Sequence, residues 1–349
     1  MSTRPLLLVL VLLPLVSAPQ GKVSVVGKEL PELVVEGAEV EVVDSVIGVL
    51  ELRGCVVRVE RASLGSARLR GCRDVSMMET KVGGYLYIES SSNVRLEDLR
   101  IPSSNTSALW IVRSRDVSMA RVSIDRAGGH GFRIVGSDNV DLSDAVVGEV
   151  AASALDLTSS SHVRVANLEV LRAKYGLHIR NSSSVLVSGF RLTMANYGLY
   201  VHRSRDVSLE DVAVNTTRKD AFRASASEAL SLARFSVASS NGTALSVGGC
   251  RDLNAVDVLV LEARRCGVQV VGSSDVTFLN LTVVRSPMAV YVSGSSRVTV
   301  EGLRGGEVKV CARVEESSHV TLRRNECRGR VVQESCERCS VEVPPSSKV

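Results

Sequence analysis

Residues 198–209 read GLYVHRSRDVSL, and residues 131–142 read GFRIVGSDNVDL. In each phrase two apolar pairs flank a polar, serine-containing stretch. The pairs are Leu199/Val201 and Val207/Leu209 in the first, Phe132/Ile134 and Val140/Leu142 in the second. Apolar residues two apart share one face of a β-strand. Each phrase therefore predicts a strand, a tight corner and a second strand.

The phrase recurs along the chain. The first apolar residue after the corner falls at Val75, Val94, Val117, Val140, Val163, Val185, Val207, Leu230, Leu253, Val276, Val298 and Val320. From Val94 onward the steps are 22 or 23 residues, and the step before it is 19. A further pair lies in each interval, such as Val212/Val214 or Phe235/Val237. Three pairs per repeat predict three short strands per coil and three parallel sheets around one core. Parallel crossovers are right-handed. The fold class is thus an all-β, single-stranded right-handed parallel β-helix of about a dozen coils. No stretch after the first 20 residues keeps a helical period, which argues against a leucine-rich repeat, the main rival at this repeat length.

Composition agrees. Only 3% of residues are aromatic, so thin valine- and leucine-rich layers replace a bulky core. A net charge of +4 with interspersed acids and bases is too mild for a nucleic-acid footprint or an anionic membrane surface. Arg4, the apolar run over 6–16 and Ser17-Ala18 read as a secretory signal peptide over residues 1–18, with no other membrane segment. Residues 19–54 are read as an N-terminal cap with irregular first coils, 55–330 as the β-helix, and 331–349 as a C-terminal cap and tail. The expected product is a secreted or cell-envelope monomer.

Eight cysteines fit export. Cys55 and Cys72 both sit in Arg-Gly-Cys, one coil apart, and are expected to form a disulfide. The pairing of Cys250, Cys266, Cys311, Cys327, Cys336 and Cys339 stays open, with Cys336 and Cys339 read as a staple on the last coil. Asn105, Asn181, Asn215, Asn241 and Asn280 head glycosylation sequons.

The two opening phrases resemble the parallel β-helix repeat of the NosD-like, carbohydrate-binding and sugar-hydrolase group, over roughly residues 55–325. The resemblance implies the fold. The same architecture carries pectate lyases, polygalacturonases, uronan epimerases and phage tailspikes, so chemistry must be read from side chains.

Stacking turns the residue between two inward partners into an exposed column. For the third sheet the column reads Tyr87, Trp110, Arg133, Asp156, His178, Tyr200, Arg223, Ser246, Gln269 and Tyr291. His130, Tyr175, Tyr197 and Asp220 flank it on one side, Arg180 and His202 on the other. Aromatic faces and arginine forks at ~4.8 Å per coil suit a polysaccharide or cell-surface glycan. Binding of such a chain along this sheet is the first expectation, with no cofactor.

Three alternatives are carried beside it. A metal-independent polysaccharide lyase or uronan epimerase would use His178 as base, Tyr200 as acid or base, Arg223 to neutralise the substrate carboxylate and Asp156 to orient His178. Hydrolysis needs two carboxyl groups roughly 5 to 9.5 Å apart, and Asp156 and Asp220 lie three coils from each other. Asp156 alone makes no calcium site. Copper handling, which the NosD-like resemblance raises, would draw on His178 and His202, but Met288 is too distant to complete a cluster. The last alternative is a non-catalytic surface or envelope spacer whose third-sheet column only adds stability.

Overall fold

The computed structural model describes residues 21–341. The expected signal peptide, residues 1–18, and the tail beyond 341 lie outside the described residues. The chain is a right-handed parallel β-solenoid of about 13 turns, with no helix among the described residues. It divides into two compact units at Asp156/Leu157.

In the first unit the earliest coils are regular. Lys22–Val26 pairs in parallel with Glu39–Val43, and that strand pairs with Val56–Glu60. Glu29–Glu36 pairs likewise with Val46–Arg53, and Val46–Arg53 with Ser63–Arg70. Partners such as Lys22↔Glu39 and Val46↔Ser63 are 17 residues apart. The segment expected to be an irregular cap is therefore ordered solenoid with a shorter repeat. Alignment on a 22–23-residue period puts a 17-residue period out of phase, which is why it looked irregular.

The missing residues come mainly from one corner. In the short coils the inward residues Ile47 and Leu50 are separated by Gly48 and Val49 alone. In the long coils the equivalents Val147 and Leu155 enclose a loop. The short corner turns so closely that a Cβ on Gly65 would lie 2.2 Å from the Gly48 carbonyl oxygen. Gly65→Ala is expected to destabilise the protein by about 1 to 3 kcal/mol, read as a lowered urea midpoint. An unchanged midpoint would mean that the corner relaxes freely.

Long coils begin with Val94↔Val117. In the second unit the three sheets continue in register, as in Val185↔Val207, Val212↔Phe235 and Phe222↔Leu245. The core is Val, Leu, Ile and Ala, with Phe190, Phe222, Phe235 and Phe278 fully buried in this unit.

The corner between the third sheet and the next coil's first sheet holds a row of buried serines: Ser91, Ser114 and Ser137 in one unit, Ser160, Ser182, Ser204, Ser227, Ser273, Ser295 and Ser317 in the other. A backbone N–H here has no strand partner. The Ser182 N–H donates to the Ser204 hydroxyl at 3.2 Å, and the Ser204 N–H to the Ser227 hydroxyl at 3.1 Å. The Ser204 hydroxyl in turn donates to the His202 carbonyl at 3.0 Å. Each rung thus satisfies a buried donor.

That row corrects the expected Cys55–Cys72 disulfide. Both are free, buried thiols. They continue the serine row of the first unit, where the Cys72 N–H donates to the Ser91 hydroxyl at 3.1 Å. The Cys55 thiol donates to the Arg53 carbonyl at 3.3 Å and the Cys72 thiol to the Leu52 carbonyl at 3.6 Å, and their mutual proximity lowers the pKa of Cys55 and raises that of Cys72. Side chains stacked in register stand about one strand spacing apart (~4.8 Å), wider than the ~3.8 Å between the Cβ atoms of a disulfide. Cys250 occupies a rung of the same kind and is also free, as is Cys266. Disulfides join Cys311 to Cys327 and Cys336 to Cys339, so the final coils are stapled.

Candidate functional site

The third sheet of the first unit carries Glu51, Arg68, Tyr87, Trp110 and Arg133 in one register column. Most of its charged groups meet one another. Arg68 reaches Glu51 at 3.1 Å, and Arg70 reaches Glu89 at 3.2 Å. Arg113 also pairs with Glu89. The Arg133 guanidinium lies 4.5 Å from the Trp110 ring centre, and the Trp110 indole donates to the Ser107 carbonyl at 3.1 Å. His130 Nδ1 accepts the Ser153 N–H at 3.3 Å.

Asp156 was expected in the exposed column. It is instead completely buried, with Arg133 Nε 3.8 Å from its carboxylate. Strand alternation gives the direction of a side chain, not what covers it. Withdrawn from solvent, its carboxylate cannot itself touch a polymer lying on the surface.

The second unit differs. Its column runs His178, Tyr200, Arg223, Ser246, Gln269, Tyr291 and Arg313 in unbroken register. Two coils supply a stack of five rings. Tyr175 and Tyr197 lie 5.0 Å apart with planes 7° from parallel. His178 stacks on Tyr200 at 5.2 Å and on Tyr175 at 5.1 Å. Tyr200 faces His202 at 6.1 Å. In-register pairing sets this geometry, because Tyr175↔Tyr197 and His178↔Tyr200 are direct cross-strand partners. Among the expected residues, the structure therefore brings together Tyr175, His178, Tyr197, Tyr200 and His202, with Arg223 beside Tyr200.

The polar rim is defined in the same way. The Lys219 ammonium donates to the Tyr197 hydroxyl at 2.9 Å, and that contact raises the lysine above its ordinary range. Ser225 Oγ sits 2.8 Å from His202 Nδ1 and 3.4 Å from the Tyr200 hydroxyl. Arg180 donates to the Thr158 hydroxyl at 3.1 Å. Asp220 accepts the Thr243 N–H at 3.0 Å and stands 4.0 Å from Arg223.

Farther along, Gln269 and Tyr291 line a shallow pocket of about 330 Å³ with Arg265, Met288, Arg313 and Glu315. The Tyr291 hydroxyl donates to Glu315 at 2.8 Å, which pushes the phenol's pKa up. Lys219, Arg265 and Arg313 are absent from the sequence-derived site. Arg313 is the next residue of the exposed column after Tyr291, one coil beyond where that column was drawn, whereas Lys219 and Arg265 precede the third strand, where the repeat gains or loses a residue.

Three overlapping segments of the chain, residues 65–192, 110–257 and 175–325, match the family described as right handed beta helix region. The chain belongs to the right-handed β-helix family. Several solved structures resemble this β-helix. The A-module of Azotobacter vinelandii mannuronan C-5 epimerase AlgE6 is 13% identical, with 86% of this chain and 91% of that one covered and a TM-score of 0.49. The AlgE4 A-module is 11% identical, with 86% and 89% covered and a TM-score of 0.41. PfbA, a surface adhesin of Streptococcus pneumoniae, is 11% identical, with 95% and 88% covered and a TM-score of 0.37. No curated protein matches this β-helix in sequence.

Proposed function

We propose that this β-helix is exported and binds an extended polysaccharide along the third sheet of its second unit. The observation that carries the reading is the ring stack of Tyr175, His178, Tyr197, Tyr200 and His202, partly exposed and bordered by Lys219 and Arg223. Partly exposed aromatic rings offer flat apolar area to the C–H faces of a sugar, and their hydroxyls supply the polar handles. In the first unit's column the rings of Tyr87 and Trp110 are tilted at 49° rather than stacked, and its arginines are held in ion pairs and a cation–π contact.

The test is a binding screen of the purified protein against neutral and acidic polysaccharides, followed by Tyr197→Ala and Tyr200→Ala. Each substitution is expected to weaken binding about tenfold or more, in line with ~1 to 3 kcal/mol for stacking on an aromatic platform, with the unfolding midpoint kept. Unchanged affinity in both variants would remove the ring stack from the site.

A further inference from the structure

In the second unit, one position of the coil carries charge in strict alternation. It lies three residues before the first inward residue of the third strand. Counted back from Leu177, Phe222, Val268 and Ala312, it is Lys174, Lys219, Arg265 and Lys309. In the coils between, counted back from Leu199, Leu245 and Val290, it is Asn196, Gly242 and Pro287. All four basic residues are exposed, and none is within ion-pair distance of a carboxylate among the described residues. Lysine and arginine are 42 of 349 residues, about 0.12 of the chain, so chance would seldom fill all four alternate positions and leave the other three empty.

The in-between residues have their own reason to be uncharged at Gly242, where a Cβ would lie 2.6 Å from the Asp220 carboxylate. The rest of the face keeps the same parity. Arg180 shares a coil with Lys174, Arg223 with Lys219 and Arg313 with Lys309. The intervening coils present Tyr197, Tyr200 and His202, then Thr243 and Ser246, then Met288 and Tyr291. Two coils span ~9.6 Å along the axis, close to the screening length of ~10 Å at moderate ionic strength. The row is therefore tolerated without internal counter-charges and remains available to an outside anion.

Resting on the binding reading above, we propose that the ligand is a carboxylate-bearing polysaccharide lying along the solenoid axis, with the charge of every second sugar facing this row. A sugar in an extended chain is about as long as one coil is thick, ~4.8 Å. In a two-fold ribbon alternate sugars turn over, so one face presents its carboxylates every second residue. That period equals the period of the basic row, and the rings of Tyr197, Tyr200 and His202, in the coil between Lys174 and Lys219, meet a sugar face.

The experiment compares a uronan of defined length with its carboxyl-reduced, neutral derivative, on three proteins. These are the wild type, the variant Lys174→Asn/Lys219→Asn/Arg265→Asn/Lys309→Asn, and the charge-conserving swap Asn196→Lys/Lys219→Asn. Wild type is expected to prefer the uronan by at least about tenfold, and the preference should fall as salt rises. The fourfold variant is expected to lose that preference, its affinity for the uronan falling much further than its affinity for the neutral chain, and the swap to lose several-fold at equal net charge. Equal binding of both polymers by wild type, or a swap as tight as wild type, overturns the proposal and leaves the ring-stack site standing. Failure of every polysaccharide to bind sinks both readings. Tighter binding of single-stranded DNA than of the uronan overturns the proposal in favour of a nucleic-acid ligand.

Discussion

Phe222→Ala is expected to lower stability by about 3 to 5 kcal/mol, the usual cost of truncating a buried phenylalanine. The side chain is fully buried, and its ring meets that of Phe235 edge-on, with centres 5.7 Å apart and planes at 67°. Phe222 belongs to the third strand and Phe235 to the second strand of the following coil, so one contact ties two sheets and two coils. Alanine leaves a void beside the Phe235 ring, and a close-packed solenoid layer has little freedom to collapse. Because Phe222 directly precedes Arg223, the loss should also loosen the register of Tyr200 with Arg223. Urea unfolding followed through tyrosine fluorescence measures the first effect. A midpoint within error of wild type would show that the two rings do not hold the layers together.

The second large effect concerns the serine row. Ser204→Ala combined with Ser227→Ala removes the acceptors of the Ser182 and Ser204 N–H groups. Each buried donor left without a partner costs about 1 to 3 kcal/mol, so the pair should cost roughly 2 to 6 kcal/mol. The substitutions remove almost no apolar area, so a loss of that size can come only from hydrogen bonding. Ser204→Cys is the informative companion, since Cys250 already fills such a rung. Cysteine should recover part of the stability that alanine loses. If the alanine pair unfolds at the same urea concentration as wild type, the corner amides are satisfied by solvent and the row has no structural weight.

Much of the fold is legible because its signal is simple. Pairs such as Leu199/Val201 and Val207/Leu209 give strand direction, and their recurrence gives the stack. Side-chain direction on the third strand is legible for the same reason, so Tyr175, His178, Tyr197 and Tyr200 can be placed on one face before any coordinates exist. The 17-residue coils escape notice because a shorter corner shifts the phase of every later pair. Asp156 is misread because alternation is blind to what packs over an outward side chain. The cysteines are misread because co-location in stacked coils does not by itself supply the approach of the two Cβ atoms. The basic row is missed because it precedes the strand, where the repeat varies between 22 and 23 residues and only paired backbones restore the alignment.

The position of that row exists only where the second corner has grown. In a 17-residue coil, three places before Leu50 is Ile47, an inward core residue. The added residues extend the parallel pairing around the corner, as in Ala173↔Ala195 and Tyr175↔Tyr197, and they create a shelf of exposed side chains beside the third sheet. Growth of the corner thus leaves the inward pairs of the three strands in place. Evolution, or an engineer, can write new recognition into one corner of each turn, rung by rung, while the hydrogen-bonded ladders and the oily centre go on unaltered.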